Sequence, residues 1–293
     1  MTQPKVLITG ATGFLGWYLC AAAQQAWQVY GTTHSKSAKI PHTKLLPIDL
    51  TNTAAIAELF QTVQPDAVIH AAALSQPNAC EVQPDASWQI NVQAAWQIAE
   101  HCADLDIPCV FTSTDQVFDG QRGNYRETDP VAPVNRYGEH KVLAEEGMRS
   151  RHAQTIICRL PLMFGATPHA PSFLQGFVAK LYQGETLQLF TDEYRTPASG
   201  ESIAQGILLA LASNISCWHL GGAERLSRYE FGQHLAEVLH LPVNLLQPCL
   251  RATVPMAALR PADVSLDSAF AFSQGYAPLG IAQELQKLKT QLC

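Results

Sequence analysis

Charge is scarce in this 293-residue chain. Asp, Glu, Lys and Arg make up 15% of it, the net charge is −6, and Lys and Arg never gather into a run. A nucleic-acid partner is therefore not expected. With 47% hydrophobic residues the chain buries a sizeable core, and a disordered protein is excluded. Long apolar runs are missing too. The stretch from Ile203 to Ala212 is interrupted by Gln205 and is too short for a bilayer, so no membrane partner is expected. The start of the chain lacks the basic region, apolar stretch and small-residue cleavage site of an export signal, which predicts a cytoplasmic protein. No two of the eight cysteines (Cys20, Cys80, Cys102, Cys109, Cys158, Cys217, Cys249 and Cys293) form a C-x-x-C pair. A zinc ribbon and a disulfide framework are thus not expected, and the thiols read as buried and reduced. Acidic residues show no ligand spacing, so no metal is expected, with a subunit interface left open. Repeats, low-complexity tracts and linkers are absent.

What the chain does contain is a strand–helix rhythm. Strands are predicted at Lys5 to Thr9, Val29 to Thr33, Leu45 to Asp49, Ala67 to His70, Cys109 to Ser113 and Thr155 to Arg159. Helices are predicted at Phe14 to Ala26, Thr53 to Val63 (capped by Thr51 or Thr53), Asp85 to Leu105 and Asn135 to Ser150. Such alternation predicts an α/β fold with a Rossmann-type, doubly wound parallel sheet. Beyond Pro161 the pattern loosens into helices at Ser172 to Tyr182, Ser202 to Ser213, Ser227 to His240 and Gln283 to Gln291, with short strands at Cys217 to Leu220 and Val264 to Leu266. The expected division is a dinucleotide-binding domain over 1–160 and a smaller α/β substrate-binding lobe over 161–293, with about 195–222 returning to the first domain.

Gly10, Gly13 and Gly16 follow the first strand and open a helix. Glycines there permit a tight turn and close backbone approach, and the helix N-terminus favours a pyrophosphate. Phe14 and Leu15 lie within the same turn. At the end of the second strand an acidic side chain would favour NAD; this chain has Thr33, His34, Ser35 and Lys36 instead. Hydroxyls and a cation suit a 2′-phosphate, so NADP(H) is preferred, with NAD(H) as the alternative. Asp49 and Leu50 are expected at the adenine. Ala71, Ala72 and Ala73 leave room beneath the ribose and nicotinamide.

Tyr137 and Lys141 stand four residues apart on a predicted helix, hence on one face. A nearby ammonium lowers a phenol's pKa, and the pair could pass a proton to a ketone oxygen. Thr114, at the end of the fifth strand, lies where ligands meet an open sheet and could orient the same carbonyl. A strand-end hydroxyl bonded to backbone is the structural alternative.

With these residues in view, the chain resembles the extended short-chain dehydrogenase/reductase superfamily. Ser113–Gly120, Tyr125-Arg126-Glu127, Pro133–Gly138, and Arg260-Pro261 with Leu266-Asp267 are similar to the dTDP-4-dehydrorhamnose reductase family within it. That resemblance implies reduction at C4 of a nucleotide-linked 4-keto-6-deoxyhexose. Thr114, Tyr137 and Lys141 would form the catalytic group, with Lys141 on the nicotinamide ribose. Asp115 and Leu162 would face the sugar, and Arg195 and Arg260 a diphosphate. A homodimer is a further expectation. Departures fall on the substrate side: Gln116 stands where the family often has Tyr, Leu162 where it often has Trp, and Ala198 where Thr is usual. Gln116 also cannot serve as the acid of the related dehydratases. Two alternatives stay open, an epimerase and a non-catalytic subunit resembling methionine adenosyltransferase beta.

Overall fold

A computed structural model describes residues 3–34 and 38–292. Its centre is a sheet of seven parallel strands: β1 (Lys5–Thr9), β2 (Gln28–Thr33), β3 (Thr43–Pro47), β4 (Ala67–His70), β5 (Cys109–Thr114), β6 (Thr155–Leu160) and the edge strand Cys217–His219. Across the sheet the order is Cys217–His219, β6, β5, β4, β1, β2, β3. The chain winds outward from β1 in one direction and from β4 in the other, so this is a Rossmann-like α/β fold whose strand order reverses between β1 and β4. At such a reversal the crossover helices diverge and leave a crevice at the strands' carboxyl ends.

Alternation along β1 shows why both faces are covered. Val6 and Ile8 point into a core shared with the helices Phe14–Ala23 and Gly200–Leu211, whereas Leu7 points into one shared with Thr53–Val63, Ala94–Leu105 and Arg136–Arg151. All three side chains are fully buried. A separate core, with Phe164, Leu174, Phe231, Leu235 and Leu285, holds the C-terminal helices Phe173–Tyr182, Arg228–Leu239 and Ile281–Leu292 around the parallel strands Leu187–Phe190 and Leu246–Cys249. Gly200–Leu211 and Cys217–His219 pack with the large sheet instead. No helix among the described residues is long and apolar enough to cross a membrane. Of the seven cysteines described, five are buried and none is bridged.

Several boundaries differ from expectation. The first helix stops at Ala23, where Ala26 and Trp27 both turn their N–H groups back to the Ala23 carbonyl. The second is capped by Asn52, which accepts from Ala54 and Ala55, not by a threonine. The third strand spans Thr43–Pro47. The long helix before β5 is broken: Pro77–Val82 and Pro84–Trp88 precede a π-helical turn, Gln89–Gln93, and only Ala94–Leu105 is regular. That turn presents Asn91 to Leu74, bonding its N–H at 2.9 Å and its carbonyl at 3.0 Å. The expected strand at Val264 to Leu266 reduces to isolated bridges, Tyr125 with Leu266 and Tyr194 with Asp263.

The helix Arg136–Arg151 is fixed to β6 by a buried ion pair. Arg159 donates to both Glu145 oxygens, at 3.1 and 2.8 Å, with both side chains at most 5% exposed. Removing one partner of such a pair strands a charge in apolar surroundings. Arg159→Met is therefore expected to cost about 3–5 kcal/mol in urea unfolding, with most of it regained in Arg159→Met/Glu145→Leu. A loss no larger than that of an exposed pair would contradict this reading.

Candidate active site

The crevice between β1 and β4 has a volume of about 570 Å³. Its floor is the glycine turn. Gly10 has φ +68°, and a Cβ there would stand 2.8 Å from the Ala72 Cα; a Cβ on Gly16 would stand 2.1 Å from the Gly10 carbonyl oxygen. Only glycine lets these three backbone segments close together. Gly13 caps the helix Phe14–Ala23 without a side chain, so first-turn N–H groups are left for a ligand. Gly10, Gly13, Phe14, Leu15 and Gly16 all line the crevice.

The other expected cofactor residues divide by location. Thr33, His34, Asp49, Leu50, Ala71, Ala72 and Ala73 line the same crevice. Ser35 and Lys36 lie outside the described residues. Thr12 Oγ1 meets Thr33 Oγ1 at 3.2 Å, so two hydroxyls converge at the end of β2. Asp49 is held ionised below its usual range by the N–H and hydroxyl of Thr51. The alanine wall is fixed from beneath: Thr9 Oγ1 accepts from Ala71 N at 3.0 Å and Ala72 N at 3.1 Å, and contacts His70 Nδ1 at 2.7 Å. With two N–H groups pointing at the hydroxyl, its own hydrogen goes to Nδ1, which leaves the His70 proton on Nε2. Burial, and then the Lys141 charge, push His70 down to about 3, so the ring is neutral near pH 7.

Tyr137 and Lys141 close the far end of the crevice. Asn135 caps their helix, its side chain accepting from Gly138 N at 2.9 Å. The Tyr137 phenol lies against the Thr114 hydroxyl, but its pKa is raised, not lowered as expected. Burial is the main cause, followed by the Asp115 carboxylate; Thr114 and Arg195 only partly offset them. Lys141 is 1% exposed, its Nζ 4.0 Å from the centre of the Phe111 ring. Burial pushes it down to about 7 against the upward pull of Glu145 and Cys80. Among the described residues the ammonium has no hydrogen-bond acceptor. Cys80, buried beside both groups, was not singled out in the sequence and donates to the Leu74 carbonyl.

Beyond Tyr137 lies a charged cluster. Thr114 Oγ1 donates to Asp115 at 3.2 Å and accepts from Gln116 N at 3.3 Å. Arg195 holds the same Asp115 oxygen at 2.7 Å and reaches Glu193 at 3.5 Å. Asp115, Glu193 and Arg195 are all buried. Burial raises Asp115 despite Arg195. The Arg195 charge also reaches Arg228 and Arg260. Arg228, pushed down to about 10 by burial, stacks on Phe173 at 4.2 Å. Asp115 Oδ2, Arg195 Nε, Arg228 Nη1 and Arg260 Nε are buried atoms without hydrogen-bond partners among the described residues. Leu162 is half-buried and its carbonyl accepts from Ala198 N at 3.2 Å. Glu193 and Arg228 were missed in the sequence. One signal was there for Arg228: a cation on the first residue of a helix opposes the helix dipole and calls for another reason to be present.

A family model described as the RmlD substrate binding domain matches residues 4–286. A probable low-salt glycan biosynthesis reductase, Agl14, of Haloferax volcanii is 31% identical over 266 residues, covering 89% of this chain and 88% of that protein. Methionine adenosyltransferase 2 subunit beta of Pongo abelii is 28% identical over 273 residues, covering 90% and 80%. Among solved structures, dTDP-4-dehydrorhamnose reductase of Bacillus anthracis in complex with NADP superposes with a TM-score of 0.85 at 21% identity, covering 99% of this chain and all of the other.

Lys141 makes stability depend on pH. Its folded-state pKa is about 7 against 10.5 for the free group, so between these values the unfolded chain binds more protons. Stability contributed at this position is then lowest below pH 7 and rises toward pH 10.5. Lys141→Met should raise stability at pH 6 by a few kcal/mol and flatten the rise between pH 7 and 10 in urea titrations. Equal stability of the two proteins at pH 6 would refute the buried-cation assignment.

Proposed function

The chain belongs to the RmlD substrate binding domain family, and from that premise we propose that it is an oxidoreductase that uses NADPH to reduce the C4 ketone of a nucleotide-linked 4-keto-6-deoxyhexose. One observation carries the reading: a protonated phenol and a buried ammonium on one helix face close the end of a glycine-floored crevice. The crevice fits a dinucleotide on its own chemistry. Its floor has no room for side chains at Gly10 and Gly16, and Lys141 offers three donors that ribose hydroxyls would satisfy. Converging hydroxyls of Thr12 and Thr33 beside His34 suit a 2′-phosphate, and the Asp49 carboxylate in the same crevice is occupied by the Thr51 N–H and hydroxyl.

NADPH, when bound, supplies the hydride. The protein's part is to place the ketone and provide the proton. Tyr137, kept neutral by burial, donates its phenolic proton to the developing alkoxide. Thr114 turns the single hydroxyl hydrogen that it otherwise gives Asp115 toward the same oxygen. Lys141 binds the ribose, and the partner restores its positive charge by relieving an unpaired burial; that charge then favours the phenolate left by proton transfer. Arg195, Arg228 and Arg260 together take the diphosphate, whose oxygens satisfy their unpartnered N–H groups. Asp115 is tied to Arg195 and orients that guanidinium, with Oδ2 left for a sugar hydroxyl. Leu162 and Arg260 complete the substrate side.

A second reading, a non-catalytic partner subunit, rests on the similarity to methionine adenosyltransferase 2 subunit beta and predicts coenzyme binding without turnover. Oxidation of NADPH against a panel of nucleotide-linked 4-keto-6-deoxysugars separates the two. We expect turnover, faster with NADPH than NADH, and a kcat in Tyr137→Phe lower by about 10²–10⁴-fold. Undiminished turnover in that variant would reject the mechanism, and coenzyme binding with no turnover would favour the partner subunit.

A further inference from the structure

A capping asparagine needs only its oxygen, but Asn135 uses its whole amide. Oδ1 accepts from Gly138 N, at the start of the Tyr137 helix, while Nδ2 donates to Gln116 Oε1 and to the Leu259 carbonyl, each at 3.0 Å. Asn135 and Gln116 are both at least nine-tenths buried, so the bonds to Gln116 and Gly138 are not shared with bulk water, whereas the one to Leu259 is only part-buried. One side chain thus joins three segments: the turn carrying Asp115, the helix carrying Tyr137 and the loop carrying Arg260. Packing supports the first contact, because a Cβ on Gly138 would stand 2.2 Å from the Gln116 carbonyl oxygen. It does not explain the third, since the Leu259 side chain is 71% exposed. That loop is tied a second time by Asn78, which accepts from Ala258 N at 3.0 Å.

We propose that Gln116 is a positioning residue for Tyr137, acting through Asn135, and that the same amide ties the Arg260 loop to the reaction centre. The kinetic consequence rests on the reductase reading above; the structural one does not. The Gly138 N–H and the Leu259 carbonyl fix which way round the Asn135 amide lies, and Gln116 Oε1 adds the second acceptor that ties it to the Asp115 turn. Without Gln116 the amide keeps its orientation but loses that tie, so the helix start carrying Tyr137 is held less firmly against the turn. The family resemblance places a sugar-facing residue near this position; here the side chain is instead spent on the helix that holds the proton donor.

Two substitutions separate the links. Gln116→Met removes the acceptor at similar volume, and Gln116→Glu keeps one. Asn135→Asp keeps the cap oxygen and deletes both donors. In hydrogen exchange of the coenzyme-free protein, Asn135→Asp should quicken exchange over residues 256–262 about tenfold, the loss of one net hydrogen bond, while β5 and β6 stay protected. Gln116→Met should lower kcat about tenfold with the KM for NADPH unchanged, and Gln116→Glu should restore it. Unchanged exchange over 256–262 overturns the loop tie. A wild-type kcat in Gln116→Met, whatever its stability, overturns the positioning role. If the wild-type protein turns over no 4-keto sugar nucleotide, the reductase reading fails, and faster exchange over 136–141 in Gln116→Met still decides whether Gln116 positions the helix.

Discussion

An ammonium sunk among apolar side chains is the constraint to which the rest of the site answers. Lys141 is almost fully buried, and such a charge is costly unless its surroundings compensate. The compensation visible here is indirect. The Phe111 ring faces the charge, and Glu145 sits one helical turn on, its own charge held by Arg159. His70, on the adjoining strand, is kept neutral so that no second cation competes. What remains unmet is directional hydrogen bonding, and the group points to the end of a crevice shaped for a dinucleotide. In the proposed function, poor solvation of the lysine and its affinity for a ribose are one property.

The same economy of burial governs the phenol and the carboxylate beside it. Tyr137 is raised because a phenolate there would be desolvated and would face Asp115. In the proposed reaction this is the required state: a donor must still hold its proton when the hydride arrives. Asp115 is itself countered by Arg195, which belongs to a group of arginines around Glu193. The Tyr137 phenol and the Arg195 guanidinium are therefore linked through one carboxylate. Substrate charge at the arginines would be felt at the phenol through contacts of a few ångströms, with no need for a long-range conformational pathway.

The glycine-turn side of the crevice was legible in the sequence because its information is local. Lys5–Thr9, Thr53–Val63 and Ala67–His70 were placed to the residue; a fully buried strand and a capped amphipathic helix each carry their own signature. The turn Gly10–Gly16 needs only its neighbours to be understood. The strands Leu187–Phe190 and Leu246–Cys249 were not seen, since their partners lie far apart in the chain and Pro248 argues against a strand, being tolerated only where its missing N–H is not needed. The π-helical turn at Gln89–Gln93 was hidden because one extra residue in a turn leaves composition untouched. The charged cluster was half seen: Asp115, Arg195 and Arg260 came from motif resemblance, but Glu193 and Arg228 are assembled only by tertiary contact. The direction of the Tyr137 shift was misread for a related reason. Sequence shows the lysine four residues away and cannot show how deeply both groups are buried.

The central claim is that Lys141 is a buried cation poised near neutrality and brought to full charge by a coenzyme. Labelling lysine Cε with ¹³C, assigning the Lys141 resonance by substitution, and titrating the coenzyme-free protein measures this directly. The account predicts a midpoint at about 7 that moves upward when NADP⁺ is added. A midpoint near 10.5, the value of the free group, or one that stays in place on saturation with NADP⁺, would contradict it.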